Sequence, residues 1–337
     1  MSEPLSTPRW NNFDAIRLLA ALAVVVGHAW PLTGTSHPPE IGGLKVYTLA
    51  VYVFFSVSGY LITQSWLRSG SVRSYLANRV LRIFPALIGV VLVTVLLLGP
   101  LFSTLGAAGY FASPVTWQYL ANLSLVGVYD LPGVFRDHPI TAVNGPLWSL
   151  GPEFLCYLGV LALGLVVLRR PVLRAVLFIA AALALTLLVD SPLEDAFRSM
   201  VFFGVGSLLA SLRLPSWPAL VVLPAWLIGA WLAPDLALPL AWITVPYLVV
   251  TLGTRSTPVL RRFGRFGDIS YGLYLWGFPV QQSVMAVVGT LPLALDLLVV
   301  VPLTAVIAFA SWHLVEKRAL AQKSRFATPS DRLLQDR

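Results

Sequence analysis

The chain has 337 residues, of which 57% are hydrophobic and only 11% are charged. Soluble domains carry roughly a quarter charged residues, so this composition excludes an ordinary soluble protein and predicts a protein embedded in the lipid bilayer. The net charge of +8 indicates membrane topology rather than nucleic-acid binding, because basic residues concentrate on the cytoplasmic side of membrane proteins. A single cysteine, Cys156, excludes an intrachain disulfide and a cysteine-rich metal site, and we expect no bound metal.

Apolar segments follow one another along the whole chain. A membrane span needs about 20 mostly apolar residues, and we place a helix wherever such a segment is bounded by charge, proline or glycine. The result is an all-α integral membrane protein with about ten transmembrane helices. The predicted helices are 13–31, 46–67, 84–102, 146–168, 172–189, 197–212, 217–233, 236–252, 270–289 and 292–315. Segment 116–128 is too short and polar for a span and is predicted to be a re-entrant or interfacial piece.

The distribution of basic residues gives this bundle an orientation. If residues 1–12 lie in the cytoplasm and the helices alternate, most Lys and Arg residues fall on the cytoplasmic side, whereas acidic residues predominate in the other loops. The pattern predicts a cytoplasmic segment 1–12, a transmembrane domain 13–316 and a cytoplasmic tail 317–337. The longest outside loop, 103–145, contains many aromatic residues and prolines and is predicted to form a structured cap.

The first predicted helix carries Asp14, Arg17 and His28, and ionisable residues at membrane depth are functional candidates. Arg17 and His28 are eleven residues apart, close to three helical turns, so they share one face about 16 Å apart along the axis. Asp14 is three residues before Arg17 and can pair with it. In the alternative interpretation, Arg17 snorkels to the interface and His28 is an interfacial histidine. The spacing alone does not separate the two.

Other predicted helices add a carboxylate and a pair of arginines. Glu153 falls about 10 Å below the outer surface by helical rise, which predicts the same layer as His28. A histidine and a carboxylate at one depth can form a base with its orienting partner or an acid–base pair, although Glu153 can also be held by a structural partner. Arg79 and Arg82 precede the third predicted helix and share a face, where guanidinium groups can bind phosphates. Cytoplasmic arginines also arise from topology alone.

Small and polar residues occupy two more positions of interest. Ser58 and Gly59 lie inside the second predicted helix, where small side chains allow close helix packing or leave room for a ligand chain. Asp268, in the sequence GDIS, is predicted to cap the start of a helix on the cytoplasmic side.

These residues belong to six motifs that occur in a fixed order. The motifs are FDAIRLLAALAVVVGH (13–28), VFFSVSGYLI (53–62), NRVLRIFPAL (78–87), NGPLWSLGPEFLCYL (144–158), DISYGLYLWGFPVQQ (268–282) and SWHLVEKR (311–318). Together they resemble the acyltransferase-3 family of membrane acyltransferases over residues 10–320. The resemblance implies a ten-helix bundle with acyl-CoA as donor, usually acetyl-CoA, and a hydroxyl of a glycan or other extracytoplasmic molecule as acceptor.

The resemblance also implies roles for individual residues. The essential histidine of the family falls on His28 and its carboxylate on Glu153, while its donor-binding arginines fall on Arg17, Arg79 and Arg82. Further candidate substrate residues are Asp14, Ser58, Gly59, Trp148, Ser149, Tyr271 and Tyr274. In one departure from the family pattern, Gly277 stands where many relatives have a histidine.

The predicted function is therefore acyl transfer across the inner membrane of a bacterium. Acyl-CoA would enter from the cytoplasm, and His28, oriented by Glu153, would take the proton of a glycan hydroxyl that attacks the thioester. Transfer through an acyl-histidine is equally compatible with the sequence. A small-molecule acceptor is one alternative, and a transporter or flippase is another, because buried charges suit both. The sequence shows no inverted repeat of the kind that many transporters contain.

Overall fold

The computed structural model describes residues 11–69, 71–167, 170–212, 215 and 218–326. Most of the predicted N-terminal segment 1–12 and the end of the predicted tail therefore lie outside the described residues. Within the described residues the secondary structure is helical apart from one two-residue hairpin and the connecting loops.

Fourteen α-helices make up the described part of the chain. They are α1 (Phe13–Leu32), α2 (Val46–Ser69), α3 (Val72–Val93), α4 (Gly99–Phe102), α5 (Gly106–Ala112), α6 (Pro114–Gln118), α7 (Leu150–Val166), α8 (Pro171–Leu188), α9 (Glu194–Leu209), α10 (Ala219–Leu232), α11 (Ala237–Gly253), α12 (Ser270–Val288), α13 (Leu293–Ser311) and α14 (Lys317–Leu320). A π-helical turn, Thr94–Leu98, joins α3 to α4, and a second, Trp312–Glu316, joins α13 to α14. Strands β1 (Glu40–Ile41) and β2 (Leu44–Lys45) pair antiparallel between α1 and α2.

The all-α membrane class is confirmed. Helices of 14 or more residues occupy all ten predicted positions within the described residues, and seven helical stretches are long and apolar enough to cross a membrane. The others are shorter or more polar: α10 has 14 residues, and α12 contains Gln281 and Gln282, which are buried inside the bundle. Ten spans therefore remain a prediction.

The third helix begins twelve residues before its predicted start at residue 84. It starts at Val72, where the Ser71 hydroxyl accepts a hydrogen bond from the N–H of Ser74 at 3.3 Å, as expected of an N-cap serine. Arg79 and Arg82 thus lie inside α3 and not before it. The prediction was wrong because it required an apolar segment, whereas these arginines turn towards a cavity in the bundle.

Close contact between backbones joins α2 to α9. A Cβ atom added at Gly59 would lie 2.0 Å from the carbonyl oxygen of Phe203, and one added at Gly206 would lie 2.3 Å from that of Ser56. Small residues permit such approaches between membrane helices. Gly59 therefore serves helix packing. On its other sides, α2 packs against α1, and α1 packs against α12.

The two ends of the bundle differ in character. We call the end that holds Arg17, Arg79, Arg82 and Lys323 the basic end, and the opposite end, with the β-hairpin and residues 125–144, the loop end. Of the predicted piece 116–128, the structure forms the end of α6 and a 3₁₀ turn, Tyr119–Ser124, that packs on α3. At the basic end, helical structure continues beyond residue 316 through α14 and a 3₁₀ turn, Ala321–Arg325, both packed against α3.

Residues 138–149, which we call the inserted segment, enter the bundle from the loop end along α12. The side-chain amide of Gln282 donates 2.7 Å hydrogen bonds to two carbonyls of the segment. Further in, Asn144 donates to the carbonyl of Leu275 at 2.9 Å. Gln282 and Leu275 are about 10 Å apart along the helix axis. Helix α7 therefore begins in the interior of the bundle and not at its surface.

Replacing Gly59 with alanine should destabilise the fold, because the new methyl group would collide with the backbone of α9. Overpacking of this kind costs roughly 1–3 kcal/mol. Gly89→Ala in α3 is the matched control, since a Cβ there meets no atom within 4 Å. Thermal unfolding of the purified protein in detergent measures the difference. Equal midpoints for the two variants would contradict the close contact.

Candidate active site

One carboxylate joins three parts of the basic end. Oδ2 of Asp268 accepts hydrogen bonds from Arg17 on α1 at 2.5 Å and from Arg82 on α3 at 2.6 Å. Oδ1 accepts from the backbone N–H and the hydroxyl of Ser270, the first residue of α12. The N-cap position of α12 is Ile269 and not Asp268 as predicted, but Asp268 still bonds the first residue of the helix and also neutralises part of the arginine charge. Arg17 pairs with Asp268, and no ion pair within 4.0 Å joins it to Asp14 as the sequence had suggested.

The pairing fixes the charge state of this carboxyl. Burial raises the pKa of Asp268, but attraction to the guanidinium groups of Arg17 and Arg82 outweighs burial, so the pKa lies below its ordinary value. Asp268 is ionised at neutral pH.

Arg79 has a different environment from the paired arginines. One terminal nitrogen donates to the Ser65 hydroxyl at 3.0 Å, and the guanidinium lies 5.3 and 5.9 Å from the ring centres of Tyr75 and Tyr157. Its Nε is buried without a hydrogen-bond partner, and none of the described carboxylates lies within 4.0 Å of it. An arginine left in this state has capacity for an anion.

A cavity of about 330 Å³ opens between these groups. We call it the basic cavity. Its cationic lining residues are Arg17, Arg79, Arg82 and Lys323, and its one acidic lining residue is Asp268. Lys323 belongs to the segment that the sequence assigned to a tail, and the cavity receives it because the 3₁₀ turn Ala321–Arg325 folds back on α3.

Glu153 lies next to this cavity. Its Oε1 accepts hydrogen bonds from the Ser58 hydroxyl at 2.5 Å and the Tyr157 hydroxyl at 2.6 Å. With Arg17, these residues line a second cavity of about 60 Å³, the middle cavity. Arg17, Ser58 and Tyr157 line both cavities. The two spaces therefore meet at one boundary.

Tyrosines of α12 close the middle cavity on another side. The Tyr274 hydroxyl donates to the carbonyl of Pro146 at 2.7 Å and lies 2.5 Å from the Ser149 hydroxyl. The Tyr271 hydroxyl donates to the carbonyl of Ile83 at 3.0 Å, and the Arg82 guanidinium lies 5.5 Å from its ring centre. Both tyrosines and Ser149 line the cavity. They tie α12 to α3 and to the inserted segment.

His28 occupies a layer nearer the loop end. Its Nδ1 lies 2.8 Å from the carbonyl oxygen of Val24. A carbonyl only accepts, so Nδ1 carries the proton, and in the neutral ring Nε2 has a free lone pair. None of the described residues forms a hydrogen bond with Nε2. The ring packs against Tyr47 and Phe278, with ring centres 4.6 and 5.5 Å away.

The middle cavity ends one helical turn from this histidine. Val51 and Tyr274 line the cavity. On α2, Val51 is four residues closer to the basic end than Tyr47, and on α12, Tyr274 is four residues closer than Phe278. Tyr47 and Phe278 are the rings that pack against His28. On α1, the buried residue Val24 lies between the level of the cavity and His28. One turn is about 6 Å along a helix. The chain thus arranges the basic cavity, the middle cavity and His28 in this order.

The predicted pairing of Glu153 with His28 is wrong. Glu153 bonds Ser58, whereas His28 packs on Tyr47. Ser58 and Tyr47 both lie on α2 and are eleven residues apart, which corresponds to about 16 Å along the helix axis. Glu153 therefore lies in the layer of Arg17. The prediction measured depth from the membrane surface, but α7 starts inside the bundle, at the end of the inserted segment. The carbonyl of Val24 orients His28 instead.

The departure at Gly277 also has a structural explanation. A Cβ at this position would lie 2.4 Å from Cγ2 of Val25. A side chain at this position would therefore have to displace Val25 of α1.

A third cavity, of about 580 Å³, lies at the loop end on the other face of α7. We call it the loop-end cavity. Trp148, Gly151 and Pro152 line it, whereas their neighbours Ser149, Leu150 and Glu153 line the middle cavity. The first turn of α7 separates the two spaces.

Sequence reasoning missed Tyr157 and Glu316 as well as Lys323. Tyr157 is one turn after Glu153 and lies within the motif of residues 144–158. Buried Glu316 lies in a π-helical turn and accepts from Ser311 at 3.0 Å, while its Oε2 has no partner. Within the described residues, no group of three or more His, Cys, Asp or Glu side chains is arranged to hold a metal ion.

Apolar helices surround the basic and middle cavities, and His28 lies one helical turn beyond them. This arrangement is compatible with an enzyme embedded in the membrane. Residues 10–314 match the acyltransferase domain family. An O-acetyl transferase of Shigella phage Sf6 is 30% identical, with 93% of this chain and 97% of the relative aligned. Nodulation protein 10 of Rhizobium leguminosarum bv. viciae is 29% identical, with 92% of this chain and 93% of the relative aligned. No solved structure matches. The chain belongs to the acyltransferase-3 family of membrane acyltransferases.

Replacing Asp268 with asparagine should leave Arg17 and Arg82 without their shared counter-charge and lower the free energy of unfolding by roughly 3 kcal/mol. Asp195→Asn is the control, because its pair with Arg198 is exposed and such pairs contribute at most about 1 kcal/mol.

Thermal unfolding in detergent at several pH values makes this comparison. Since the folded pKa of Asp268 is lowered, the effect should persist down to the ordinary carboxyl pKa of about 4 and fade only at more acidic pH, as the folded protein takes up the proton. Equal effects of the two substitutions at pH 7 would contradict this assignment.

Proposed function

We propose that this enzyme transfers an acyl group, acetyl in the first instance, from cytoplasmic acyl-CoA to a hydroxyl of an extracytoplasmic glycan such as exopolysaccharide or lipopolysaccharide. The observation that carries the proposal is the order of the site: a cavity with four cationic residues leads through shared lining residues to within one turn of His28. The resemblance to an O-acetyl transferase supports acetyl as the group transferred.

The basic cavity suits the nucleotide part of CoA. Among the described residues Arg79 has no carboxylate partner, and Arg17 and Arg82 share the single charge of Asp268, so the lining keeps a net positive charge for phosphate groups. The middle cavity offers hydroxyls and aromatic rings, which suit the uncharged pantetheine arm. In this arrangement the basic end faces the cytoplasm of a bacterium, in agreement with the positive-inside rule, and the loop end faces outward.

His28 acts as the base. The acceptor oxygen attacks the thioester carbonyl carbon while its proton moves to Nε2, and the carbon–sulfur bond breaks. The imidazolium then returns the proton to the departing thiolate of CoA. The bond from Nδ1 to Val24 keeps the ring in the tautomer that this step needs. The thioester reaches Nε2 only if the pantetheine arm displaces the side chains of Val24, Val51 and Tyr274, which separate the middle cavity from His28.

In this scheme, Glu153 belongs to the donor channel and not to the base. It orders the hydroxyls of Ser58 and Tyr157 at the boundary of the two donor cavities, where it can also accept a hydrogen bond from an amide of the pantetheine arm. The same site accommodates transfer through an acyl-histidine, in which Nε2 attacks the thioester first.

A small-molecule hydroxyl is the second candidate acceptor. The loop-end cavity, of about 580 Å³, has the size of small-ligand sites. Membership of an acyltransferase family disfavours the transporter alternative.

His28→Ala should lower acetyl transfer from radiolabelled acetyl-CoA to membrane glycans by about 100-fold or more, which is the usual contribution of a general base. His313→Ala is the matched control, because His313 also bonds a carbonyl four residues earlier, that of Phe309, through Nδ1 but lies in an exposed position. An active His28→Ala protein would remove the base from the mechanism.

Arg79→Gln should raise the dissociation constant for acetyl-CoA about 10- to 100-fold, since a hydrogen bond to a charged group contributes roughly 1.5–3 kcal/mol. Arg73→Gln, an exposed position on the same helix, should leave binding unchanged. Isothermal titration of the purified protein measures both. Equal affinities in the two variants would place the phosphates elsewhere.

A further inference from the structure

The loop-end cavity differs in chemistry from the basic cavity. Its lining includes the aromatic rings of Tyr129, Trp148 and Phe197, several aliphatic side chains and the carboxylate of Asp195, and among the described residues no Lys or Arg lines it. An anionic ligand would meet one negative charge and no counter-charge there. A neutral ligand with apolar faces would find aromatic rings to stack on. The two cavities thus suit an anionic molecule at the basic end and an uncharged one at the loop end.

A narrow contact connects this cavity to His28. Gly145, the first residue of the 3₁₀ turn before α7, lines the cavity. A Cβ added there would lie 3.3 Å from Cε2 of Phe278. The Phe278 ring, in turn, packs edge-on against His28, with ring centres 5.5 Å apart. The Phe278 ring therefore lies next to both the glycine at the cavity wall and the imidazole.

We propose that the loop-end cavity binds the acceptor as a neutral sugar ring stacked on Trp148, and that Gly145 and Phe278 form the passage through which its hydroxyl reaches His28. The inference rests on the proposed function and adds the acceptor site and its ligand class. The passage is closed by the Phe278 ring and opens when this ring rotates. The absence of a side chain at position 145 leaves room for the sugar hydroxyl once the ring has moved. While closed, the ring shields the thioester from water on the loop side.

Cysteine labelling tests whether the cavity opens at the loop end. The native chain has one cysteine, Cys156, which is buried, so a new thiol reports alone. A membrane-impermeant maleimide added outside intact cells should label Trp148→Cys and the exposed control Glu40→Cys. Ser58→Cys, in the donor cavities, should react only after the cytoplasmic side is made accessible. Labelling of Glu40→Cys without Trp148→Cys would overturn the outward opening.

Kinetics with two trisaccharides test the ligand class. Purified enzyme receives radiolabelled acetyl-CoA with either maltotriose, which is neutral, or trigalacturonate, which is acidic. We expect faster transfer to maltotriose. Trp148→Ala should raise the maltotriose KM about threefold to tenfold and leave the acetyl-CoA KM unchanged. Trp117→Ala is the control, since Trp117 is an exposed tryptophan of α6 at the loop end. Faster transfer to trigalacturonate, or none to maltotriose, would overturn the assignment.

Two substitutions at the passage should act in opposite directions. Gly145→Ala narrows it and should lower kcat/KM for maltotriose, whereas Gly89→Ala, at an open position, should not. Phe278→Ala widens the passage and should raise hydrolysis of acetyl-CoA in the absence of sugar. A purely structural defect would lower both rates, so a fall in hydrolysis with Phe278→Ala would refute the gate.

The two proposals fail in different ways. If the wild-type enzyme neither cleaves acetyl-CoA nor labels any glycan, the proposed function is wrong. If it does both, only the acceptor site is wrong when the Trp148 and Gly145 variants behave like their controls and Phe278→Ala behaves like the wild type.

Discussion

One carboxylate oxygen holds the basic end of this bundle together. Charges removed from water must be paired or hydrogen-bonded, and Oδ2 of Asp268 satisfies Arg17 and Arg82 at the same time. This shared pairing fastens α1, α3 and the start of α12 to one another. It also leaves positive charge in excess, because two guanidinium groups share one counter-charge and Arg79 has none. The same contact thus joins three helices and leaves the basic cavity with an excess of positive charge.

A second constraint is the depth at which α7 begins. Inside the bundle, Gln282 donates hydrogen bonds to two carbonyls of the inserted segment, and Asn144 of that segment donates to the carbonyl of Leu275 on α12. Unpaired backbone groups would be costly there. The segment carries Glu153 to the layer of Arg17. It also makes the first turn of α7 a partition, with Ser149 facing the middle cavity and Trp148 facing the loop-end cavity. Two separate cavities arise from this partition, one for each substrate in the mechanism that we propose.

The position of His28 agrees with a reaction between substrates that arrive from opposite ends. The middle cavity ends one turn from it on the basic side, and on the loop side Phe278 contacts it and lies next to Gly145. Its hydrogen bond to Val24 requires no residue outside α1. The tautomer of this histidine is therefore set by its own helix, and in the mechanism that we propose the neighbouring helices control access to it. A side chain at Gly277 of α12 would collide with Val25 of α1, so α12 supplies no second imidazole beside this histidine.

The sequence by itself determined the membrane class, the approximate places of the ten longer helices apart from the start of the third, and the shared face of Arg17 and His28. These features depend on apolar composition and on the period of a single helix, which local rules describe. Only the tertiary structure decided that Asp268 bridges Arg17 and Arg82, that Glu153 bonds Ser58, and that Lys323 reaches the basic cavity. Such contacts join residues as far as 251 positions apart, and they depend on where each helix starts along the membrane normal. Hydropathy does not record that depth, because an inserted segment can start a helix inside the bundle as readily as at its surface.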